Sequence, residues 1–253
     1  MMQAAIFLIL ALLLPVAAAG QTTETLVLRG QPQHLRLFGQ RDGYPAIVSS
    51  GDGGWIHLAP QVAAMLAARG FFVVGFDSKA YLESFTSGAT TLTERDVPAD
   101  YRSLARFAAG RSSQKPLLIG VSEGAALSLL AATDPGVKAL VAGVIGLGLG
   151  DANELGWRWK DSLIYLTHGL PDEPKFSTIA LAGRVAPTPL AVINATHDEY
   201  VPAGEVDRIL AAAQQPKQLW MIAAADHRFS DNQAELARRL VEAIAWVQAS
   251  QPK

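Results

Sequence analysis

From residue 21 onward, short apolar runs rich in β-formers alternate with stretches of helical periodicity, and few architectures tolerate that rhythm. Strand, helix and strand in succession build a parallel sheet whose faces are both covered by helices. The strand candidates are TLVL (25–28), HLRLF (34–38), AIVSS (46–50), FFVVGF (71–76), PLLIG (116–120), LVAGVIGL (140–147), PLAVIN (189–194) and QLWMIA (218–223). The central runs are apolar without interruption, as strands buried on both faces require. Helical spacing links Leu58, Val62, Met65 and Leu66 ahead of Gly70, then Val97, Tyr101, Leu104 and Ala108, and finally Leu236, Leu240, Ile244 and Val247. The expected fold is α/β, a mostly parallel central sheet of about eight strands with helices on both faces. At 253 residues and 50% hydrophobic content, one domain over 21–253 can bury a single large core. Residues 151–187, with Trp157, Trp159, His168 and several prolines, break the rhythm and read as a small insertion or lid before the strand at 189–194.

The first twenty residues, MMQAAIFLILALLLPVAAAG, carry no charge and end in small residues after Pro15. They read as a signal peptide over 1–20, with cleavage near Gly20 or Gln21 and export to the periplasm or beyond. An uncleaved membrane anchor is the alternative, because the apolar stretch is nearly long enough to span a bilayer. With no cysteine, a disulfide framework and a lipid-modified cysteine are both excluded. A net charge of −2 and the lack of any basic run argue against nucleic acid as a partner.

The chemistry starts at Gly120-Val121-Ser122-Glu123-Gly124, between a strand candidate and the helical run AALSLLAA. In a G-x-S-x-G turn from strand to helix, side chains at the glycine positions would strike neighbouring backbone, and the serine hydroxyl is pushed out above the sheet. The turn at a helix N-terminus also favours negative charge developing nearby. A serine that merely caps the helix is the plainer reading of the same residues. A serine nucleophile needs a base, and the base needs an orienting carboxylate, here expected in the order serine, acid, histidine. Asp198 follows PLAVIN directly, with Glu199 as an alternative acid, and His227 lies in the loop after the last strand candidate. His34, His57, His168 and His197 lack that position, and Asp226 has a local role beside His227. No metal is expected, since no histidine pair has ligand spacing and cysteine is absent.

Acyl transfer also needs donors for the oxyanion. One is the main-chain N–H of Glu123; the other is expected from SGDGGW (50–55), at Asp52 or its neighbour Gly53. The same loop lacks the Lys-Ser/Thr of a phosphate-binding loop, so no cofactor is implied. Gly53, Trp55, Trp157 and Trp159 are candidate substrate contacts; Trp157, Trp159 and Leu163, at partly helical spacing, read as lining an acyl pocket or meeting a membrane surface, with covering the core as the plainer alternative. Glu123, Asp52, Asp151 and Glu154 all fall on loops assigned to one rim, which predicts an acidic mouth favouring a cationic substrate, unless the acids are solvated or paired with Arg158 and Lys160.

Taken together, the arrangement resembles the α/β-hydrolase superfamily along the whole of 21–253. More narrowly, SGDGGW followed by a helix and then GFFVVGFDSKAYL (70–82) resembles the bacterial VirJ/AcvB-type virulence-associated periplasmic proteins. The resemblance implies a periplasmic serine hydrolase acting on a lipid ester, aminoacyl-phosphatidylglycerol in particular, and a link to secretion-system proteins as partners. That family's elbow commonly carries an aromatic after the serine, where this chain has Glu123. A hydrolase-like scaffold that binds a partner without turnover is the alternative from a different class.

Overall fold

The computed structural model describes residues 21–163 and 173–251, so the expected signal segment and His168 lie outside the described residues. Eight strands form one sheet in the order β1-β2-β4-β3-β5-β6-β9-β10: β1 (Thr22–Leu28), β2 (Gln31–Phe38), β3 (Tyr44–Ser49), β4 (Phe71–Phe76), β5 (Leu117–Val121), β6 (Gly143–Leu147), β9 (Leu190–Ala195) and β10 (Lys217–Ile222). β1 and β2 pair antiparallel, as do β2 and β4, and every pairing from β4 through β3, β5, β6 and β9 to β10 is parallel. Each of the eight sequence runs falls on one of these strands.

Successive strand residues point to opposite faces, and two apolar layers result. Val48, Val73 and Ile119 join the layer beneath helices α1 (Leu58–Ala67) and α8 (Gln233–Ala249). Ile47, Val74 and Leu118 join the layer beneath α2 (Ser78–Phe85), α3 (Asp96–Ala109), α4 (Glu123–Ala131), α5 (Pro135–Leu140), α6 (Thr178–Ala182) and α7 (Ala203–Ala212). The predicted helical faces are the buried ones: Leu58, Val62 and Leu66 on α1, Val97, Tyr101, Leu104 and Ala108 on α3, and Leu236, Leu240, Ile244 and Val247 on α8. All nine residues of α4 are buried, which fixes the helix that follows Ser122 from every side. No helix among the described residues is long and apolar enough to cross a membrane.

The 151–187 stretch leaves the sheet after β6. Its described parts are a two-stranded antiparallel ribbon of β7 (Ala152–Glu154) and β8 (Lys175–Ser177), a 3-10 turn over Trp159–Leu163, and α6. Asp151 anchors the ribbon's exit: its Oδ1 accepts from the Ser177 hydroxyl at 2.5 Å and from Ile179 N at 2.9 Å. Arg158 and Glu173 form an ion pair between the two sides of the insertion.

Candidate active site

The turn from β5 into α4 places Ser122 at φ 51°, ψ −119°, a left-handed region that non-glycine residues rarely enter. Both flanking glycines are required by space. A Cβ at Gly120 would lie 2.2 Å from the Gly124 carbonyl oxygen, and one at Gly124 would lie 2.3 Å from that of Ser50. Ser122 makes no side-chain capping hydrogen bond to α4, so the hydroxyl is not spent as a cap. Strain held by a packed strand and helix, with the hydroxyl left free, is the geometry of a nucleophile elbow.

Asp198 and His227 meet from two loops at the same edge of the sheet. Asp198 follows β9, and its Oδ2 lies 2.7 Å from His227 Nδ1. Its Oδ1 accepts the main-chain N–H groups of Tyr200 (2.9 Å) and Val201 (2.8 Å), so both carboxylate oxygens are engaged. With Nδ1–H donated to the carboxylate, Nε2 is the nitrogen left to accept a proton. Ser122 and His227 flank one dipeptide at the end of β6: Ser122 N–H donates to Leu147 O at 2.8 Å, and the imidazole packs against Gly148. Gly148 has φ 61°, and a Cβ there would come within 2.3 Å of His227 Cε1. That glycine therefore makes room for the ring, a requirement the sequence reading did not anticipate.

The loop between β3 and α1 closes the near side. A Cβ on Gly51 would lie 3.3 Å from Ser122 Cβ, which puts the Gly51 main chain against Ser122. Among the described residues, the N–H groups of Asp52 and Glu123 meet no main-chain or side-chain acceptor. Gly53 sits at the tip of the turn closed by the bond from Gly54 N to Gly51 O, 3.0 Å.

Three sequence expectations need correction. Trp55 is turned to the sheet: its ring fills the space above Gly75 of β4 and packs on Phe38 with centroids 6.1 Å apart, pinning the loop there. Trp157 is 1% exposed and belongs to the core, its main-chain N–H donating to Thr86 Oγ1 at 3.0 Å, so it lines no open pocket. Trp159 alone of the three is available, at 82% exposure on the insertion. The acidic mouth also dissolves: Asp151 is tied to Ser177 and Ile179, Arg158 is paired with Glu173, and Glu123 and Glu154 are buried rather than facing solvent.

The buried acids are unusual. Glu123 is 5% exposed, its Oε1 has no partner among the described residues, and its Oε2 receives only a long contact from Glu154 N, 3.4 Å. Burial pushes the Glu123 carboxyl well above the usual carboxylate range, and the adjacent Glu154 and Asp52 charges push it the same way. Glu154 is raised as well, again chiefly by burial, while the nearby Lys175 ammonium opposes that shift.

Residues 44–157 match the family described as bacterial virulence protein VirJ, a span that holds the SGDGGW loop, the elbow and the start of the insertion. The esterase domain of a Rhodothermus marinus protein superposes with a TM-score of 0.61 at 19% identity, covering 91% of this chain and 98% of that one. The α/β hydrolase GrgF from a Penicillium species superposes with a TM-score of 0.66 at 15% identity, covering 88% of this chain and 98% of that one. The chain has the α/β-hydrolase fold, with a VirJ-like segment. The uncharacterized protein Rv2307c of Mycobacterium tuberculosis is 25% identical over 73% of this chain, which spans only 63% of that relative's length. Within the α/β-hydrolase fold, the order Ser122, Asp198, His227 and their places after β5, β9 and β10 are those the elbow requires.

Proposed function

We propose that the protein is a serine hydrolase that cleaves carboxylic esters through an acyl-enzyme. The observation that carries the reading is the Asp198–His227 contact of 2.7 Å, set over the same end of β6 that holds the strained Ser122. In this mechanism Ser122 Oγ attacks the ester carbonyl carbon while His227 Nε2 takes its proton. Asp198 orients the imidazole and stabilises the imidazolium that forms. The main-chain N–H groups of Asp52 and Glu123 receive the carbonyl oxygen as it becomes an oxyanion, in a setting where fixed dipoles need no reorganisation. The imidazolium then protonates the departing alkoxide; water, deprotonated by the same histidine, releases the acid and frees Ser122.

The substrate we favour is a lipid ester, aminoacyl-phosphatidylglycerol being the one the VirJ resemblance implies, hydrolysed in the periplasm after export. Trp159, exposed on the insertion, supports contact with a lipid surface, since an indole suits the boundary between water and hydrocarbon. The burial of Glu123 and Glu154 removes the electrostatic argument for a cationic substrate, so a neutral lipid ester is its direct competitor. Fluorophosphonate labelling tests the chemistry: the wild-type protein is expected to label, and Ser122→Ala is expected to abolish labelling and cut ester turnover at least about a thousandfold with folding intact. A wild-type protein that resists the probe would leave a hydrolase-like scaffold binding a partner such as a secretion-system protein. Turnover of lysyl-phosphatidylglycerol against a neutral lipid ester decides the substrate.

A further inference from the structure

We infer that Glu199 is a positioning residue for the histidine: its carboxylate holds the main chain of His227 while Asp198 holds the ring. The inference rests on the serine-hydrolase reading and deepens it. Glu199 Oε2 accepts the main-chain N–H of His227 at 2.8 Å, across 28 residues of sequence. Asp198, Glu199 and Tyr200 thus each take a different part of His227: the ring nitrogen, the main chain, and the ring itself, which meets the Tyr200 ring edge-on with centroids 5.4 Å apart.

The need for a second tie is visible in how the histidine's loop is built. Pairing between β9 and β10 continues past the strands only as far as Thr196 N to Ile222 O and His197 N to Ala224 O. Beyond Ala224 the loop is bonded mostly to itself: Asp226 accepts from the N–H groups of Arg228 and Ser230, Asp231 accepts from Ala225 N, and Asn232 donates to Ala223 O. Among the described residues, the Asp198 and Glu199 carboxylates make the polar contacts that fasten His227 to the acid-bearing loop. A ring held by the Nδ1 contact alone would be free to swing about that contact, and Nε2 would sweep away from Ser122. Fixing the main chain as well leaves the imidazole one placement. Glu199 touches no reacting atom in this scheme and acts only through His227.

Three proteins and one probe decide the matter. The second-order rate of fluorophosphonate labelling is measured for the wild-type protein, Glu199→Ala and Glu199→Gln, with thermal midpoints recorded for each. Alanine removes the acceptor and is expected to slow labelling about tenfold, the loss of one hydrogen bond to a charged group. Glutamine keeps an oxygen able to accept the same N–H and is expected to stay within about twofold of wild type. Rescue by glutamine is what a role in net charge would not produce, and an unchanged thermal midpoint in Glu199→Ala is what a role in general loop stability would not produce. Labelling of Glu199→Ala at the wild-type rate, or equal slowing in both variants, overturns the inference while leaving the hydrolase reading intact. A wild-type protein that does not label overturns both.

Discussion

Asp198 and Glu123 are buried to nearly the same degree, 9% and 5% exposed, yet their surroundings are opposite. Asp198 accepts two main-chain N–H groups and faces the His227 ring nitrogen, so each oxygen has a donor. Glu123 has one oxygen without a partner and a second acid, Glu154, where a cation would be expected. A carboxylate can be held in a low-dielectric site only when donors replace the water it has lost, and otherwise it keeps its proton. The difference teaches that burial alone does not make an acid useful to a nucleophile. Both oxygens of Asp198 are met by donors, whereas Glu123 has one oxygen unmet and its carboxyl is pushed up by burial behind the turn.

The largest break in that comparison comes from removing the charge of Asp198. Asp198→Asn keeps an oxygen for Tyr200 and Val201 but presents the imidazole with the wrong partner, and turnover is expected to fall about ten-thousandfold with the fold retained. Kinetics on a soluble ester, with circular dichroism as the control, checks it. Next comes Gly148→Ala, which leaves Asp198 intact and displaces the ring from it. The added Cβ would overlap His227 Cε1 at a position already at φ 61°, and turnover is expected to fall about a hundredfold, as displacements near 1 Å commonly cost. Activity equal to wild type would mean that the ring does not sit over the end of β6.

The smallest effect concerns Glu123 and shows as stability against pH. Because the folded-state carboxyl is raised above its unfolded value, the folded protein holds a proton that the unfolded chain releases. Stability from this source is complete below the ordinary carboxylate range and declines as pH rises from there through the raised value. The groups facing the pair are Asp52 from the loop after β3, Tyr101 from α3 and Lys175 from β8, and of these only Lys175 counters the carboxyl charges. Tyr101 is itself pushed up to about 12 by burial, so it stays neutral through the interval. Glu154→Gln removes one of the two acids and is expected to flatten the decline, leaving the variant about 1 kcal/mol more stable than wild type at mildly alkaline pH. Thermal melts across pH would show parallel curves for the two proteins if the Glu154 charge did not act on Glu123.

The sheet was legible because its central strands are apolar on both faces, and where the reading slipped the cause is local. β1 begins at Thr22 rather than Thr25 because an edge strand exposes its polar front half, which a search for apolar runs skips. LVAGVIGL over-runs β6, since Leu140 ends α5 and Val141 and Ala142 only lead into the strand. The placement of Ser122, Asp198 and His227 after strands was legible, because the apolar runs that precede them are unbroken. Trp55 and Trp157 were not: a large aromatic near a site in sequence is equally suited to packing, and only the placement of Gly75 and Thr86 decides. The burial of Glu154 depends on pairing between β7 and β8, residues some twenty positions apart, which no local pattern reports.

The Arg158–Glu173 pair has a consequence for how the insertion is held. It ties the stretch just after β7 to the stretch just before β8, so the short ribbon is closed by charge as well as by strand pairing. Neutralising either partner would slacken this clasp while the pairings of the eight-stranded sheet stay as they are.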